Sequence, residues 1–160
     1  MIRNLLITIA ASLFCMSLHA APKNFELASP DGTLKAEISV SGGEISYSVL
    51  KNGSLVLSPS GVSMTLADGT SYDGNVRFQK AVKSSVEGTV NAQFYKKSQV
   101  PEKYNQLTLR FKTFDLVLRA YDAGVAYRFV SKSKVPFKVV AEKAGFCFPA
   151  DWNMYVPYVK

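Results

Sequence analysis

Histidine and cysteine are scarce in this chain of 160 residues, which contains one histidine and two cysteines. The histidine, His19, and one of the cysteines, Cys15, fall within the first 20 residues. If that stretch is removed as a leader, the remaining chain cannot form a Ser-His-Asp triad, a Cys-His pair or a zinc site that uses histidine. We therefore predict no catalytic residue and no metal ligand in it.

Long apolar runs are also missing, with the exception of residues 5–16. This run follows a single positive charge at Arg3 and precedes small residues at Ala20 and Ala21, a layout typical of a secretory signal peptide. A helix that spans a membrane needs about 20 apolar residues, so the run is too short for one. We predict a signal peptide at residues 1–20, cleaved after Ala20, an exported domain at residues 21–160, and no membrane span.

Positive charge exceeds negative charge, with 19 Lys and Arg against 12 Asp and Glu and a net charge of +7. The basic residues are scattered, and Lys96-Lys97 is the only basic doublet. A nucleic-acid-binding protein would present a clustered basic stripe or a known recognition module. We therefore expect no nucleic-acid partner.

The cysteine outside the leader, Cys147, lies between Phe146 and Phe148. Reactive thiols need exposed and basic surroundings, whereas apolar neighbours are typical of a buried, inert thiol. The sequence therefore predicts that Cys147 packs in the core.

Glycine turns recur about every ten residues between short stretches that alternate polar and apolar residues or are apolar throughout. Alternation and a content of Val, Ile, Thr and aromatic residues indicate strands, and glycine pairs supply the positive φ angles of tight hairpins. No stretch after residue 20 has a convincing helical period. The pattern predicts an all-β protein, a sandwich or a barrel. Residues 83–106 fit the pattern least, and we expect them to form a long hairpin loop or an excursion from the sheet.

The run "RAYDAGVAYRF", residues 119–129, predicts a hairpin. With Gly124 in the left-handed region, a three-residue loop places Tyr121 opposite Val125 and Arg119 opposite Tyr127. Arg119 would then stack on the ring of Tyr127.

In this register Leu116, Leu118, Ala126 and Arg128 share the face that packs in the core, while Tyr127 lies on the other. Asp122 is expected to accept hydrogen bonds within its own turn, because Asp commonly does so in such loops. No second carboxylate lies beside it in the motif, so the run does not provide the pair that a glycosidase needs.

Five segments together resemble the amino-terminal domain of family 97 glycoside hydrolases over residues 26–158. They read "SPDGTLKAEIS", "YSVLKNGSLVLSPSGVSMTL", "YNQLTLRF", "RAYDAGVAYRF" and "FCFPADWNMYVPY". The resemblance implies an antiparallel β-sandwich of the super-sandwich type, incomplete before its last strands. It also implies a secreted or periplasmic α-glucosidase or α-galactosidase of a Gram-negative bacterium.

In that family a separate catalytic barrel performs the hydrolysis and depends on calcium. The resemblance thus implies that this chain lacks the barrel, holds no cofactor of its own and is inactive alone. The resemblance leaves two alternatives open, a stand-alone carbohydrate-binding module and a structural or adhesive envelope protein.

The segment "PADWNMYVPYV" supplies the candidate substrate-binding residues Trp152, Tyr155 and Asp151. Aromatic rings stack on the apolar faces of sugars, and a carboxylate binds their hydroxyl groups. Alternatively, the rings pack against the sandwich edge or against the barrel, and Asp151 caps a turn.

Overall fold

The computed structural model describes residues 21–93 and 96–153, and these residues form ten strands and no helix. None of the described residues forms a helix that is long and apolar enough to cross a membrane. The predicted signal peptide, residues 1–20, and Tyr155 lie outside the described residues. The strands are β1 (Lys23–Ala28), β2 (Leu34–Ser41), β3 (Glu44–Lys51), β4 (Ser54–Leu66), β5 (Ser71–Tyr72), β6 (Phe78–Asn91), β7 (Gln99–Phe111), β8 (Phe114–Tyr121), β9 (Gly124–Ser131) and β10 (Val139–Ala144).

The strands form two antiparallel sheets that pack face to face. The first sheet has the order β1-β2-β3-β4-β10, with β5 paired to β4, and the second has the order β6-β7-β8-β9. The prediction of an all-β, antiparallel β-sandwich is confirmed, and of the two architectures expected it is the sandwich rather than the barrel.

Alternating burial shows why these sequences form strands. In β2 the side chains of Leu34, Ala36, Ile38 and Val40 are buried while those between them are partly exposed. One face of the strand therefore packs against the opposite sheet and the other meets solvent, which is the pattern expected of a two-layer antiparallel fold. The hairpin from β3 to β4 turns at Asn52-Gly53, where both residues adopt positive φ, 50° and 79°, as a type I′ turn requires.

Aromatic rings join the two sheets at three places along the core. Tyr72 of the first sheet stacks on Phe114 of the second with ring centroids 4.8 Å apart. Two further pairs cross the core, Tyr47 with Tyr127 at 5.8 Å and Phe25 with Phe78 at 5.4 Å. Such contacts add about 0.5–1.5 kcal/mol each beyond the area that the rings bury.

The register predicted for the hairpin of residues 119–129 is wrong by one residue. Tyr121 pairs with Gly124 around a two-residue loop, and Leu118 rather than Arg119 lies opposite Tyr127. Neither loop residue, Asp122 or Ala123, adopts positive φ, and Gly124 does not adopt it either. Because successive side chains of a strand alternate between faces, this shift turns Tyr127 into the core and Arg128 out to solvent.

Of the stretch at residues 83–106, residues 83–91 and 99–106 belong to two long paired strands rather than to a long loop. β6 and β7 pair from Phe78 opposite Phe111 to Asn91 opposite Gln99. Most side chains of this hairpin are exposed on both faces beyond the body of the sandwich. Exposure on both faces explains the polar composition that made this stretch resemble a loop.

The turn between β1 and β2 is held by the carboxylate of Asp31. Its Oδ1 accepts hydrogen bonds from Ser29 Oγ at 2.5 Å and from the backbone N–H of Thr33 at 2.9 Å. Both hydrogen bonds lower the pKa of Asp31, to about 2, and the bond from Ser29 has the larger effect.

The prediction that Asp122 accepts hydrogen bonds within its own turn is wrong. Its Oδ1 accepts the backbone N–H of Asp31 at 2.9 Å and so ties two turns together.

The lowered pKa predicts a pH dependence of stability. A carboxyl group with a depressed pKa stabilises the folded state fully above its ordinary value of 3.8, and this stabilisation is lost as the pH falls through about 2. Titration of the Asp31 carboxyl group by NMR should give a midpoint near 2. In urea unfolding between pH 5 and pH 2, the Asp31→Asn variant should show a flatter decline in stability than the wild type. A midpoint near 3.8 for Asp31 would contradict the assignment.

Candidate functional site

Two of the three predicted substrate-binding residues, Asp151 and Trp152, lie in an exposed connection that follows β10, and Tyr155 lies outside the described residues. The indole of Trp152 is 53% exposed, and its ring centroid lies 6.2 Å from that of Phe148, which is 48% exposed. The structure thus brings Trp152 beside a second ring. It leaves both within reach of a partner or a ligand.

Backbone hydrogen bonds fasten the start of this connection to β4. The N–H of Gly145 donates to the Gly61 carbonyl at 3.0 Å, and the N–H of Ser58 donates to the Cys147 carbonyl at 2.7 Å. The buried hydroxyl of Ser60 accepts the N–H of Cys147 at 2.9 Å. The chain around Cys147 is therefore placed by β4 even though its own side chains are exposed.

Glycine is required at position 145 because two backbones approach each other closely there. A Cβ atom on Gly145 would lie 2.9 Å from the Gly61 carbonyl oxygen and 3.0 Å from the Gly61 nitrogen. Real Cβ atoms are almost never so close to backbone atoms that cannot move independently of their strand. A side chain at this position would push the connection away from β4.

Large apolar side chains are exposed along β10 and the connection, which we call the exposed apolar segment, residues 139–152. Phe146 is 64% exposed, and β10 is exposed along its whole length. Phe148 and Trp152 lie side by side, and large apolar side chains that face solvent together typically mark a surface that another protein surface covers. The members are Val139, Val140, Phe146, Phe148 and Trp152.

The expectation that Cys147 is buried in the core is wrong. Its side chain is exposed, because the connection runs outside the edge of the first sheet and the second sheet does not cover it. The flanking phenylalanines are themselves exposed, so they indicate an uncovered surface rather than a core. The thiol is consequently accessible to reagents.

Arg119 stacks on Tyr104 and not on Tyr127 as predicted. Its guanidinium carbon lies 4.2 Å from the centre of the Tyr104 ring, and its Nε donates to Gln106 Oε1 at 3.0 Å. Glu102 Oε1 lies 3.6 Å from Nη1. A hydrogen bond from Nη1 to the Tyr121 hydroxyl, at 3.5 Å, is the largest of the influences that raise the pKa of the guanidinium.

Sequence reasoning missed this cluster on the outer face of the second sheet. The correct register places Gln106 opposite Arg119, and only the pairing of β7 with β8 reveals it. Tyr104 is 5% exposed beneath the guanidinium. The polar groups of the cluster thus bind one another, and together they form a packed polar layer.

Among residues 21–93 and 96–153, no group of three or more His, Cys, Asp or Glu side chains is placed to hold a metal ion. Calcium prefers six to eight oxygen ligands, often from several carboxylates. The described residues therefore bring together no carboxylate cluster of the kind that holds calcium.

Residues 27–160 match the family model described as Glycosyl-hydrolase 97 N-terminal. A retaining α-galactosidase from Bacteroides thetaiotaomicron is 43% identical over 149 residues, which cover 92% of this chain and 22% of that protein.

Solved structures share the fold at lower identity. A glycoside hydrolase family 97 enzyme from Pseudoalteromonas sp. strain K8, solved with panose, is 21% identical with a TM-score of 0.68, over 78% of this chain and 20% of that one. A β-arabinopyranosidase is 24% identical with a TM-score of 0.68, over 79% of this chain and 22% of that one. The chain therefore spans about a fifth of the length of the relatives it matches.

The close approach at Gly145 predicts that Gly145→Ala destabilises the protein by about 1–3 kcal/mol through overpacking. Urea unfolding measures the loss, and hydrogen exchange at the Cys147 amide should accelerate as its bond to Ser60 weakens. Gly124→Ala is the matched control, because a Cβ there meets no atom within 4 Å and φ is not positive. Equal stability of the two variants would show that position 145 does not need glycine.

Proposed function

Because the chain belongs to the family of amino-terminal domains of glycoside hydrolase family 97, we propose that it is the non-catalytic β-sandwich part of an exported, calcium-dependent α-glycoside hydrolase. In this proposal the sandwich supports a catalytic barrel that acts on α-galactosides or α-glucosides. The α-galactosidase activity of the relative from Bacteroides thetaiotaomicron supports the first of these substrates.

The exposed apolar segment is the observation that carries the proposal. Its apolar side chains lie on a strand and a connection whose backbone β4 holds in place, so the surface is formed before any partner arrives. Complete burial of a fully exposed side chain of this size contributes about 1.5–3 kcal/mol, and these side chains are about half exposed, so covering each one contributes about half as much. A barrel packed on the segment would gain this contribution from several side chains at once.

The acidic side chains of the first sheet are paired with lysines, which favours a scaffold role over a catalytic one. Glu26 and Glu37 both pair with Lys35, at 3.6 Å and 2.8 Å, and Glu44 pairs with Lys143 at 3.6 Å. Glycoside hydrolysis uses two carboxyl groups that face the scissile bond from opposite sides, with one of them able to donate a proton. Exposed carboxylates held by lysines suit a solvated surface.

Asp151, Trp152 and Tyr155 are proposed to contribute to the carbohydrate site of the complete enzyme. Trp152 offers an exposed ring face, and rings of this kind stack on sugars. In the proposal, the barrel positions the sugar and these residues border the site from the side of the sandwich.

The proposal that the protein is exported depends on cleavage of the signal peptide after Ala20. Mass spectrometry of protein recovered from the periplasm or the medium should give Ala21 as its amino-terminal residue. A retained Met1 would contradict the proposal.

Replacement of the matching region of the Bacteroides thetaiotaomicron α-galactosidase by this chain tests the scaffold role. The chain alone should not hydrolyse 4-nitrophenyl α-galactoside or α-glucoside in the presence of calcium, whereas the chimera should hydrolyse the galactoside. In the chimera, Phe148→Asp should reduce activity at least about tenfold, because it would place an unpaired charge in the interface between sandwich and barrel.

Val90→Asp is the matched control, since Val90 is 45% exposed on the hairpin of β6 and β7, away from the exposed apolar segment. Turnover by the chain alone that survives repurification would refute the non-catalytic role. Equal activity of the Phe148→Asp and Val90→Asp chimeras would refute the docking role. A change in Trp152 fluorescence when maltooligosaccharides are added to the chain alone would instead favour a carbohydrate-binding module, and self-association of the chain would favour an adhesive protein.

A further inference from the structure

A cavity of about 510 Å³ opens at one end of the sandwich, where three connections distant in sequence meet. Its walls come from the turn between β4 and β5, the turn between β7 and β8, and the loop that follows β9. Pockets for small molecules usually measure about 300–1,000 Å³. The cavity therefore has the size of a ligand site, and it does not include the exposed apolar segment.

Positive charge prevails in the lining, with Lys112, Lys132 and Lys138 against one acid, Asp68. The ammonium of Lys132 is already used, because it pairs with Asp115 Oδ1 at 2.9 Å and donates to the Phe111 carbonyl. Across the part of the chain that the structure describes, no carboxylate oxygen lies within 4.0 Å of the ammonium groups of Lys112 and Lys138. Two cations from different connections thus remain available to an anion.

Asp68 does not cancel this charge by pairing with a lysine. Its Oδ1 accepts the backbone N–H of Thr70 at 2.9 Å, and this bond is the largest of the causes that lower its pKa. The carboxylate is committed to shaping the turn between β4 and β5. The net charge of the lining is positive.

The hydroxyl of Thr113 is an independent sign of a ligand. Thr113 lines the cavity between Lys112 and β8, and its Oγ1 is buried without a hydrogen-bond partner among residues 21–93 and 96–153. Buried polar groups nearly always have a partner, and leaving one unpaired destabilises the folded state. Oγ1 is shielded from solvent, whereas the Thr113 side chain as a whole is partly exposed, so rotation about χ1 would bring this donor to an acceptor oxygen of a bound molecule.

Apolar groups form the rest of the wall. Leu66, Pro136 and Phe137 line the cavity, and Phe137 is 45% exposed. A free inorganic ion would leave these groups facing water, whereas a molecule with an apolar or ring-shaped body would cover them. We propose that the cavity binds a small organic anion, a carboxylate or phosphate on a body the size of one ring, with Lys112, Lys138 and Thr113 holding the anionic group. This inference does not depend on the proposed function.

Titration of the purified protein with glucuronate and with glucose 6-phosphate tests the proposal, with glucose and inorganic phosphate as comparison ligands. Calorimetry gives the affinity, and NMR shifts of the Lys112, Thr113 and Lys138 amides locate the site. At least one of the two organic anions should bind more tightly than both comparison ligands, and the stronger response identifies a carboxylate or a phosphate head. Lys112→Gln and Lys138→Gln should each weaken binding about tenfold.

Lys134→Gln is the matched control, because Lys134 belongs to the same loop but does not line the cavity. Thr113→Val keeps the shape of the side chain and should weaken binding without loss of stability. The proposal would be overturned by equal affinity of the Lys112→Gln and Lys134→Gln variants, by binding of glucose or inorganic phosphate as tight as that of the organic anions, or by no binding of either organic anion.

Discussion

Packing of the two sheets against each other is the constraint on which the rest of the structure depends. Phe114 stands at its centre, stacked on Phe111 of its own sheet at 4.5 Å and on Tyr72 of the other at 4.8 Å, and neither phenylalanine is exposed. Because one face of every central strand must meet this core, the pairing register of each hairpin is fixed by burial. The outer layers, including the stack of Arg119 on Tyr104, follow from that register.

We expect the functional contacts of the domain to lie outside the core of the sandwich. β10 pairs with β4 at the edge of the first sheet, and the connection after it is held by backbone bonds while its rings face solvent. A backbone that is fixed and side chains that are uncovered suit a docking surface. At one end of the sandwich, by contrast, lysines and an unpaired hydroxyl surround a cavity with partly apolar walls. The two regions present different chemistry and are suited to different partners.

The sequence allowed the fold class to be predicted because glycine turns and alternating residues are local signals. Asn52 and Gly53 adopt the positive φ angles that their types suggest. The register of the hairpin around Gly124 could not be read in the same way. Both alternating sets of β9 contain apolar residues, with Val130 in one and Phe129 in the other, so the loop length alone decides which set is buried.

The site-level features were harder to predict because they depend on contacts between distant segments. Cys147 looked buried because its neighbours are phenylalanines, yet its place at the sheet edge leaves all three exposed. The cavity joins residues near positions 66, 112 and 132, which no local pattern connects.

The central claim is that the exposed apolar segment is covered in a complete enzyme. The rate at which iodoacetamide alkylates Cys147, followed by mass spectrometry of its peptide, measures this most directly. The account predicts rapid alkylation in the chain alone and alkylation about tenfold slower or more when the chain is part of the chimeric α-galactosidase. Equal rates in the two proteins would contradict it.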